Sequence, residues 1–333
     1  MTRRALIASG AALGLVAASR KWVEARADAR EREIEATFPP EGRIFDVPFA
    51  GRQLPVHAVI RGTGPDLMML HGASGNAREF TFDLIPRLAH RYRCIAFDRP
   101  GLGYTGRTDP AHDAAYSTSA ETPGEQAALL AAAYAQVAGD GPPLILGHSY
   151  GGTVALAWAL DHPARALTLI CPPAMRWPGG VGSLHATLGS ALGGALAVPA
   201  LTATVPDRKL REITAGIFAP NPIPEGYFKH IGGQLALRRQ TMRANSRQRN
   251  GLKPHVIAME PRYPGLTLPI EWLHGDADTI VPPGVHAYPF RDLVPVTRLT
   301  LLPGVGHMPH HADPEGVIAA IDRSAARARS KGD

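Results

Sequence analysis

The chain has 333 residues, 45% of them hydrophobic, with 35 Lys and Arg against 29 Asp and Glu and a formal net charge of +6. That length admits one large α/β domain with an insertion, and the hydrophobic share is ordinary for a globular protein. The mild positive charge is mostly arginine, and no basic run alternates with aromatics, which argues against nucleic-acid binding; the two cysteines, Cys94 and Cys171, read as core residues rather than a disulfide framework.

After Arg3-Arg4, Ala5 to Ser19 form an apolar stretch. As a helix it would span about 22 Å, short of the roughly 30 Å hydrocarbon core of a bilayer, so it suits a signal-peptide core better than a full span. Thr2-Arg3-Arg4-Ala5-Leu6-Ile7 resembles a twin-arginine export signal, and Ala25-Arg26-Ala27 offers a cleavage site. The expectation is an exported or membrane-anchored protein, attached through residues 5–19, in preference to a cytoplasmic one. Residues 20–36 have mixed charge and read as a solvated helix or linker. Pro39-Pro40 closes this N-terminal segment, residues 1–40.

Strands and helices then alternate. Ile44 to Phe49 and Leu54 to Arg61 predict a hairpin turning at Gly51. Leu67 to Leu70 is a short buried strand running into the Gly-rich loop His71-Gly-Ala-Ser-Gly-Asn76. In that loop His71 is expected to brace the backbone. Phe80 to His90 predicts a helix and Cys94 to Phe97 a strand. Thr122-Pro-Gly-Glu125 is a capping box for a helix running to about Val137.

Leu144 to Leu146 is a strand that ends in Gly147-His148-Ser149-Tyr150-Gly151, with an Ala-rich helical pattern from Gly152 to Leu160. This is the strand–turn–helix setting in which a serine is exposed at the apex of a strained turn. A Cβ at Gly147 or Gly151 would collide with the neighbouring strand and helix. The helix start favours negative charge beside the Ser149 hydroxyl. A nucleophilic serine also needs two N–H donors for the oxyanion. One is the backbone N–H of Tyr150; Ala73, on the earlier Gly-rich loop, is the best position for the other. Leu167 to Cys171 is the next strand.

From residue 172 to residue 265 the alternation stops. Helical patterns at Leu184 to Val198, Arg208 to Phe218 and Gly226 to Arg243 suggest a helical cap. Arg238, Arg239, Arg243, Arg247, Arg249 and Lys253 form a basic stretch without an acid. It reads as a solvated face, as a contact for anionic lipid, or as a site for an anionic substrate.

Pro269 to Pro283 is a strand running into a loop with two carboxylates. Asp278 lies deeper in the loop and is chosen to orient a base; Asp276 is expected to cap the turn. Leu299 to Leu302 is a last strand, and the loop after it carries His307, the expected general base. His307-x-x-His310-His311 also has a metal-like spacing, but no Glu or Cys cluster accompanies it in sequence, so no metal is expected. Asp313 and Pro314 mark the N-cap and first position of a final helix.

His71-Gly72, Asp98-Arg-Pro-Gly-Leu-Gly-Tyr-Thr105, Gly147-His-Ser-Tyr-Gly151, Gly275-Asp-Ala-Asp278 and Gly306-His307 together resemble the α/β-hydrolase superfamily over about residues 43–325. The likeness is to bacterial hydrolases with an Asp-Arg-Pro-Gly loop, a group holding esterases, cofactor-free haloperoxidases and C–C bond hydrolases. It implies an eight-stranded, mostly parallel sheet with helices on both faces, a core of residues 41–171 and 266–333, and an inserted cap of residues 172–265. It also implies a triad of Ser149, Asp278 and His307, no cofactor, and hydrolysis of a small or medium carboxylic ester. Ser149 stands where relatives that open epoxides or remove halide carry aspartate. C–C bond hydrolysis or perhydrolysis on the same residues is the rival chemistry. A catalytically silent binding protein is the rival of another class.

Overall fold

The computed structural model describes residues 3–180 and 182–330, with side chains from Ala17 onward. Most of the apolar stretch expected to carry residues 5–19 into a membrane therefore lies outside the described side chains. Among the described residues no single helix is long and apolar enough to cross a membrane.

The sheet has eight strands: β1 Arg43–Phe49, β2 Arg52–Arg61, β3 Asp66–Leu70, β4 Arg93–Phe97, β5 Leu144–His148, β6 Ala166–Ile170, β7 Ile270–Gly275 and β8 Thr297–Leu302. Their order is β1-β2-β4-β3-β5-β6-β7-β8. The β1–β2 and β2–β4 pairs are antiparallel, and every later pair is parallel. Ala50 and Gly51 both have positive φ, 48° and 75°, the backbone a two-residue hairpin turn needs. Strands β3, β5, β6 and β7 are buried along their whole length, which is why they read as continuous apolar runs.

Helices cover both faces. On one face α4 (Pro123–Ala135), α5 (Tyr150–Asp161) and α11 (Pro283–Leu293) enclose a core that includes Leu130, Trp158, Trp272 and Phe290. On the other, α2 (Arg78–Thr81), α3 (Leu84–Leu88) and α13 (Pro314–Arg329) bury Phe80, Leu84, Val317 and Ile321. The Thr122–Glu125 capping box forms at α4, and Asp313 caps α13 through the Gly316 N–H.

Between β6 and β7 the described residues hold only helices: α6 Ser183–Gly189, α7 Val198–Thr204, α8 Asp207–Phe218, α9 Tyr227–His230 and α10 Arg239–Met259, with shorter turns between them. The remaining helices are α1 Arg3–Thr37 and α12 Pro309–Ala312.

Several expectations need correction. The helix expected over Phe80 to His90 is two short helices. Pro86 has no N–H to bond the Phe82 carbonyl and its ring crowds it, so the chain breaks at Phe82-Asp83. The pattern at Leu184 to Val198 splits into α6, a π turn at Gly193–Ala197 and the start of α7. That at Gly226 to Arg243 breaks at Gly232, whose φ is 60°, and the long helix begins only at Arg239.

Residues 20–36 are a helix, as one of the two expectations had it, but one face of it is packed and not solvated. They are the second half of α1, and Ala27 and Ile34 are buried. Ile34 and Phe38 share an apolar cluster with Leu188, Val198, Leu235 and Met242. Arg239 sits among Glu24 (2.5 Å), Asp28 and Glu31 (2.7 Å) of α1, and Arg238 pairs with Glu35 at 3.0 Å. Arg30 donates to the Thr202 carbonyl at 3.1 Å. The basic stretch is thus not a solvated face, and its first two arginines are already neutralised by α1 rather than free for lipid.

Candidate active site

The turn at the end of β5 has the conformation that the Gly-x-Ser-x-Gly spacing implies. Ser149 is held at φ 51°, ψ −123°, a region side-chain-bearing residues rarely occupy. Its N–H donates to the Ile170 carbonyl at 2.8 Å, and its own carbonyl accepts from Gly152 at 2.8 Å. The flanking glycines make this possible. A Cβ on Gly151 would lie 2.2 Å from the Leu70 carbonyl oxygen, and one on Gly147 would lie 2.6 Å from Gly152 Cα. All of these obstacles are backbone, so Gly151→Ala must push β3 and α5 apart. We expect it to cost stability on the scale of an overpacked core, about 1–3 kcal/mol, and to displace the serine. Chemical denaturation beside activity measures both; a variant as stable and active as the parent contradicts it.

Three side chains from distant parts of the chain meet at this turn. His307 Nε2 lies 2.9 Å from Ser149 Oγ, and His307 Nδ1 lies 2.7 Å from Asp278 Oδ2. A carboxylate only accepts, so Nδ1 carries the proton and donates it to Asp278. Nε2 is left as an acceptor facing the serine hydroxyl. Asp278 and His307 are buried while Ser149 keeps some exposure. Asp276 is outside this chain of bonds and accepts from the Gly304 N–H at 2.7 Å, as a turn-capping residue should.

Asp278 has more partners than the sequence suggested. Its Oδ1 accepts from the Ile280 and Val281 N–H groups at 2.8 and 2.9 Å. Burial alone would raise its pKa. Hydrogen bonds from His274 and His307 outweigh burial and hold the carboxyl far below the usual carboxylate range. His274 Nε2 lies 3.4 Å from Asp278 Oδ2 and 2.7 Å from the Val281 carbonyl. The Trp272 indole N–H donates to His274 Nδ1 at 3.0 Å. An indole N–H is a donor only, so His274 Nδ1 must accept and its proton sits on Nε2, facing Val281 and Asp278. Trp272 and His274 are two apart on β7 and so share a face of the sheet; that period was the available signal.

The loop of the expected second oxyanion donor passes close to the serine. A Cβ on Gly72 would lie 3.2 Å from Ser149 Cβ, and Ala73 is the next residue. His71 does brace this loop. Its Nε2 accepts from the Arg99 N–H and its Nδ1 donates to the Gly72 carbonyl, both at 2.9 Å. Buried Arg99 donates to the carbonyls of His71 (2.9 Å) and Gly72 (3.1 Å) and lies over the Tyr150 ring. Asn245 of α10 accepts from the Ser74 N–H at 2.8 Å and donates to its hydroxyl at 2.9 Å. Tyr150 opens α5, where N–H groups have no intrahelical acceptor. Asp98 accepts from the Ala77 and Tyr104 N–H groups and from His57, a structural role for the Asp-Arg-Pro-Gly turn.

His310 and His311, just after the expected base, are tied into the fold. Both lie in α12, and their Nε2 atoms are 2.8 and 2.6 Å from Glu79 Oε1. The Tyr227 hydroxyl donates to Glu79 Oε2 at 2.8 Å. This Glu-His-His group brings three metal-ligand atoms together, as do Cys171, His274 and Asp278. Sequence reading missed the first because Glu79 lies 231 residues from His310. Here the carboxylate accepts from the imidazoles and the phenol, so the cluster ties α2, α12 and α9 together through direct hydrogen bonds.

Burial also lowers the pKa of several histidines, and two of them show the effect. It lowers His71 and His310 from an ordinary 6.5 to about 4, helped by the Arg99 charge for His71 and by His311 for His310. Near pH 5 the unfolded chain binds about two more protons at these positions than the folded one. The stability these two groups contribute is therefore complete above about pH 6.5 and is lost, on the order of a few kcal/mol, as the solution is acidified toward 4. Urea unfolding between about pH 7 and 4.5 tests this; a flat profile across that window contradicts it.

The model of the alpha/beta hydrolase family matches residues 67–320. A pimeloyl-[acyl-carrier protein] methyl ester esterase from Edwardsiella ictaluri is 30% identical over 274 residues, 77% of this chain and 91% of that protein. Two solved structures are similar in fold. The esterase RhEst1 from a Rhodococcus species has TM-score 0.63 and 21% identity over 85% of this chain and 98% of its own. A membrane phospholipase A described as a bacterial virulence factor has TM-score 0.63 and 22% identity over 98% of this chain and 99% of its own.

Proposed function

The chain belongs to the alpha/beta hydrolase family, and from that premise we propose that it is a serine hydrolase cleaving carboxylic esters through Ser149, His307 and Asp278. The observation that carries this reading is the unbroken hydrogen-bond chain from Ser149 Oγ through both ring nitrogens of His307 to Asp278. His307 Nε2 takes the hydroxyl proton as Ser149 Oγ bonds to the ester carbonyl carbon. The carbonyl oxygen becomes an oxyanion held by the N–H groups of Tyr150 and Ala73. Collapse of that intermediate breaks the ester bond, and His307 gives its proton to the departing alcohol. Water then attacks the acyl-serine with His307 again as base, releasing the acid and restoring the serine. None of these steps calls on a metal or organic cofactor.

Labelling with a fluorophosphonate, followed by mapping of the modified residue, tests the reading directly. A modified Ser149 together with hydrolysis of esters of graded acyl length supports it. No label and no turnover would point to a silent binding protein. Turnover confined to a vinylogous diketone or to peracid formation would move it to C–C hydrolysis or perhydrolysis on the same residues.

Membrane attachment or export through residues 5–19 remains part of the proposal. It is supported by α1 continuing without a break from Arg3 into a segment packed on the cap, and by a likeness to the membrane phospholipase A that runs through the N-terminal helix. Fractionation of a tagged full chain decides it: recovery in membranes or the exported fraction supports attachment, and a wholly soluble, unprocessed cytosolic product removes it.

A further inference from the structure

The cations of the α10 stretch differ sharply in what they touch. Arg238 and Arg239 are neutralised by α1. Arg243 donates to the Gly194 carbonyl at 2.8 Å, and Arg247 to the carbonyls of His112, Ala114 and Ala115. Lys253 reaches the Gly179 carbonyl at 2.9 Å. Among the described residues Arg249 alone of this set has no hydrogen bond and no ion pair. It is not a solvated surface arginine. Protein packed around it lowers its pKa, with no acidic group acting against the burial, although part of the residue stays accessible. A cation so placed, enclosed by protein on most sides yet reached by solvent, is costly to leave unmatched unless something arrives to pair with it.

The position of Arg249 follows from the helix. Arg249 lies one turn beyond Asn245, on the face of α10 whose asparagine clasps Ser74, next to Ala73. On its other side Asn250 joins α10 to α6 by donating to the His185 carbonyl at 2.9 Å. His185 feels the Arg249 charge, which adds to burial in lowering its pKa to about 4. Two further polar atoms there, Ser246 Oγ and His185 Nδ1, are buried without a partner, and Ser246 is only 1% exposed. A hydroxyl and an imidazole nitrogen are thus left unsatisfied, beside a guanidinium that has no protein partner and stays open to solvent, in the seam that α10 makes with α6 and the Gly72–Ser74 loop.

We propose that this seam is a substrate subsite for an oxyanion, a carboxylate or phosphate carried by the ester, with Arg249 as its charged anchor. The inference rests on the serine-hydrolase reading and adds a substrate class to it. An arginine matches either anion with two parallel N–H bonds, whereas a neutral acyl chain would leave the charge unpaired.

Matched esters test it. p-Nitrophenyl hemiadipate against p-nitrophenyl hexanoate puts the charge on the acyl end. Monohexanoyl glycerol 3-phosphate against monohexanoylglycerol puts it on the alcohol. The full chain should favour the anionic member of at least one pair by roughly tenfold to a hundredfold in kcat/KM, the range of a charged hydrogen bond. The pair that shows the preference identifies the source of the anion. In Arg249→Gln that ratio should fall to near one, and Arg249→Lys should restore part of it. Because the readout is a ratio within one preparation, a general loss of fold does not mimic it, and the lysine variant serves if the glutamine variant does not fold. Equal rates within both pairs, or a preference that survives in Arg249→Gln, overturns the subsite and leaves the serine-hydrolase reading standing. Absence of turnover on all four esters, with no fluorophosphonate label at Ser149, overturns both.

Discussion

Ser149→Ala is expected to lower kcat on an activated ester by about 10⁶-fold while leaving the folded structure in place. The size follows from what the substitution removes. His307 Nε2 accepts from a single protein hydroxyl, Ser149 Oγ, at 2.9 Å. Without that oxygen there is no nucleophile to activate, so the base and its orienting acid lose their task together. What remains is the polarising effect of backbone N–H groups on bound ester, worth roughly 10³–10⁴ over water in serine enzymes. The fold should tolerate the change because the backbone at φ 51° is set by Gly147, Gly151 and the bond to Ile170, and alanine is strained there no more than serine. One partly buried hydrogen bond is lost, a cost of about 1 kcal/mol. Steady-state kinetics and thermal melting of the same preparation test both halves. An alanine variant that keeps a few per cent of turnover would remove Ser149 from the chemistry.

Local spacing carried most of what the sequence revealed. The serine turn, the hairpin at Gly51, the Thr122 and Asp313 caps and the buried strands each depend on residues within a few positions of one another. Asp278 and His307 could be chosen because each follows a short apolar run, and topology does the rest: parallel strands deliver their C-terminal loops to one edge of the sheet. The expectations that failed depend on distant partners. Counting charges from Arg238 to Lys253 suggested a basic surface, because the acids that pair with Arg238 and Arg239 come from residues 24–35. Nothing near Glu79 in the sequence marks it, because its partners His310, His311 and Tyr227 are brought to it only by folding. The break at Pro86 is a different failure, since the proline was visible and its effect on the Phe82 carbonyl was the reason to end the helix early.

Asp278→Asn should lower kcat by about 10⁴-fold with little change in KM, through a wrong tautomer rather than a lost contact. The surroundings dictate how the amide must sit. The Ile280 and Val281 N–H groups both point at the Oδ1 position and require an acceptor there. The amide oxygen therefore takes that position, and the NH₂ group takes the place of Oδ2. It then faces His307 Nδ1 at the 2.7 Å position as a donor, so Nδ1 must give up its proton and accept. The ring proton moves to Nε2, where it meets the Ser149 hydroxyl as a donor and can no longer receive the serine proton. His274 favours the opposite orientation, but the two backbone donors outweigh it. Its Nε2–H also points toward the Oδ2 position, 3.4 Å away, and Trp272 holds it in that tautomer. Rotating the amide to put oxygen near His307 would satisfy His274 but set the NH₂ group against two backbone donors. The imidazolium formed during turnover also loses the charge of a carboxylate that is ionised across the neutral range. The measurement is kcat and KM for the variant, with proton or nitrogen resonances of His307 reporting which ring nitrogen is protonated. Activity within tenfold of the parent, with the proton still on Nδ1, would mean that Asp278 braces the loop and takes no part in setting the base.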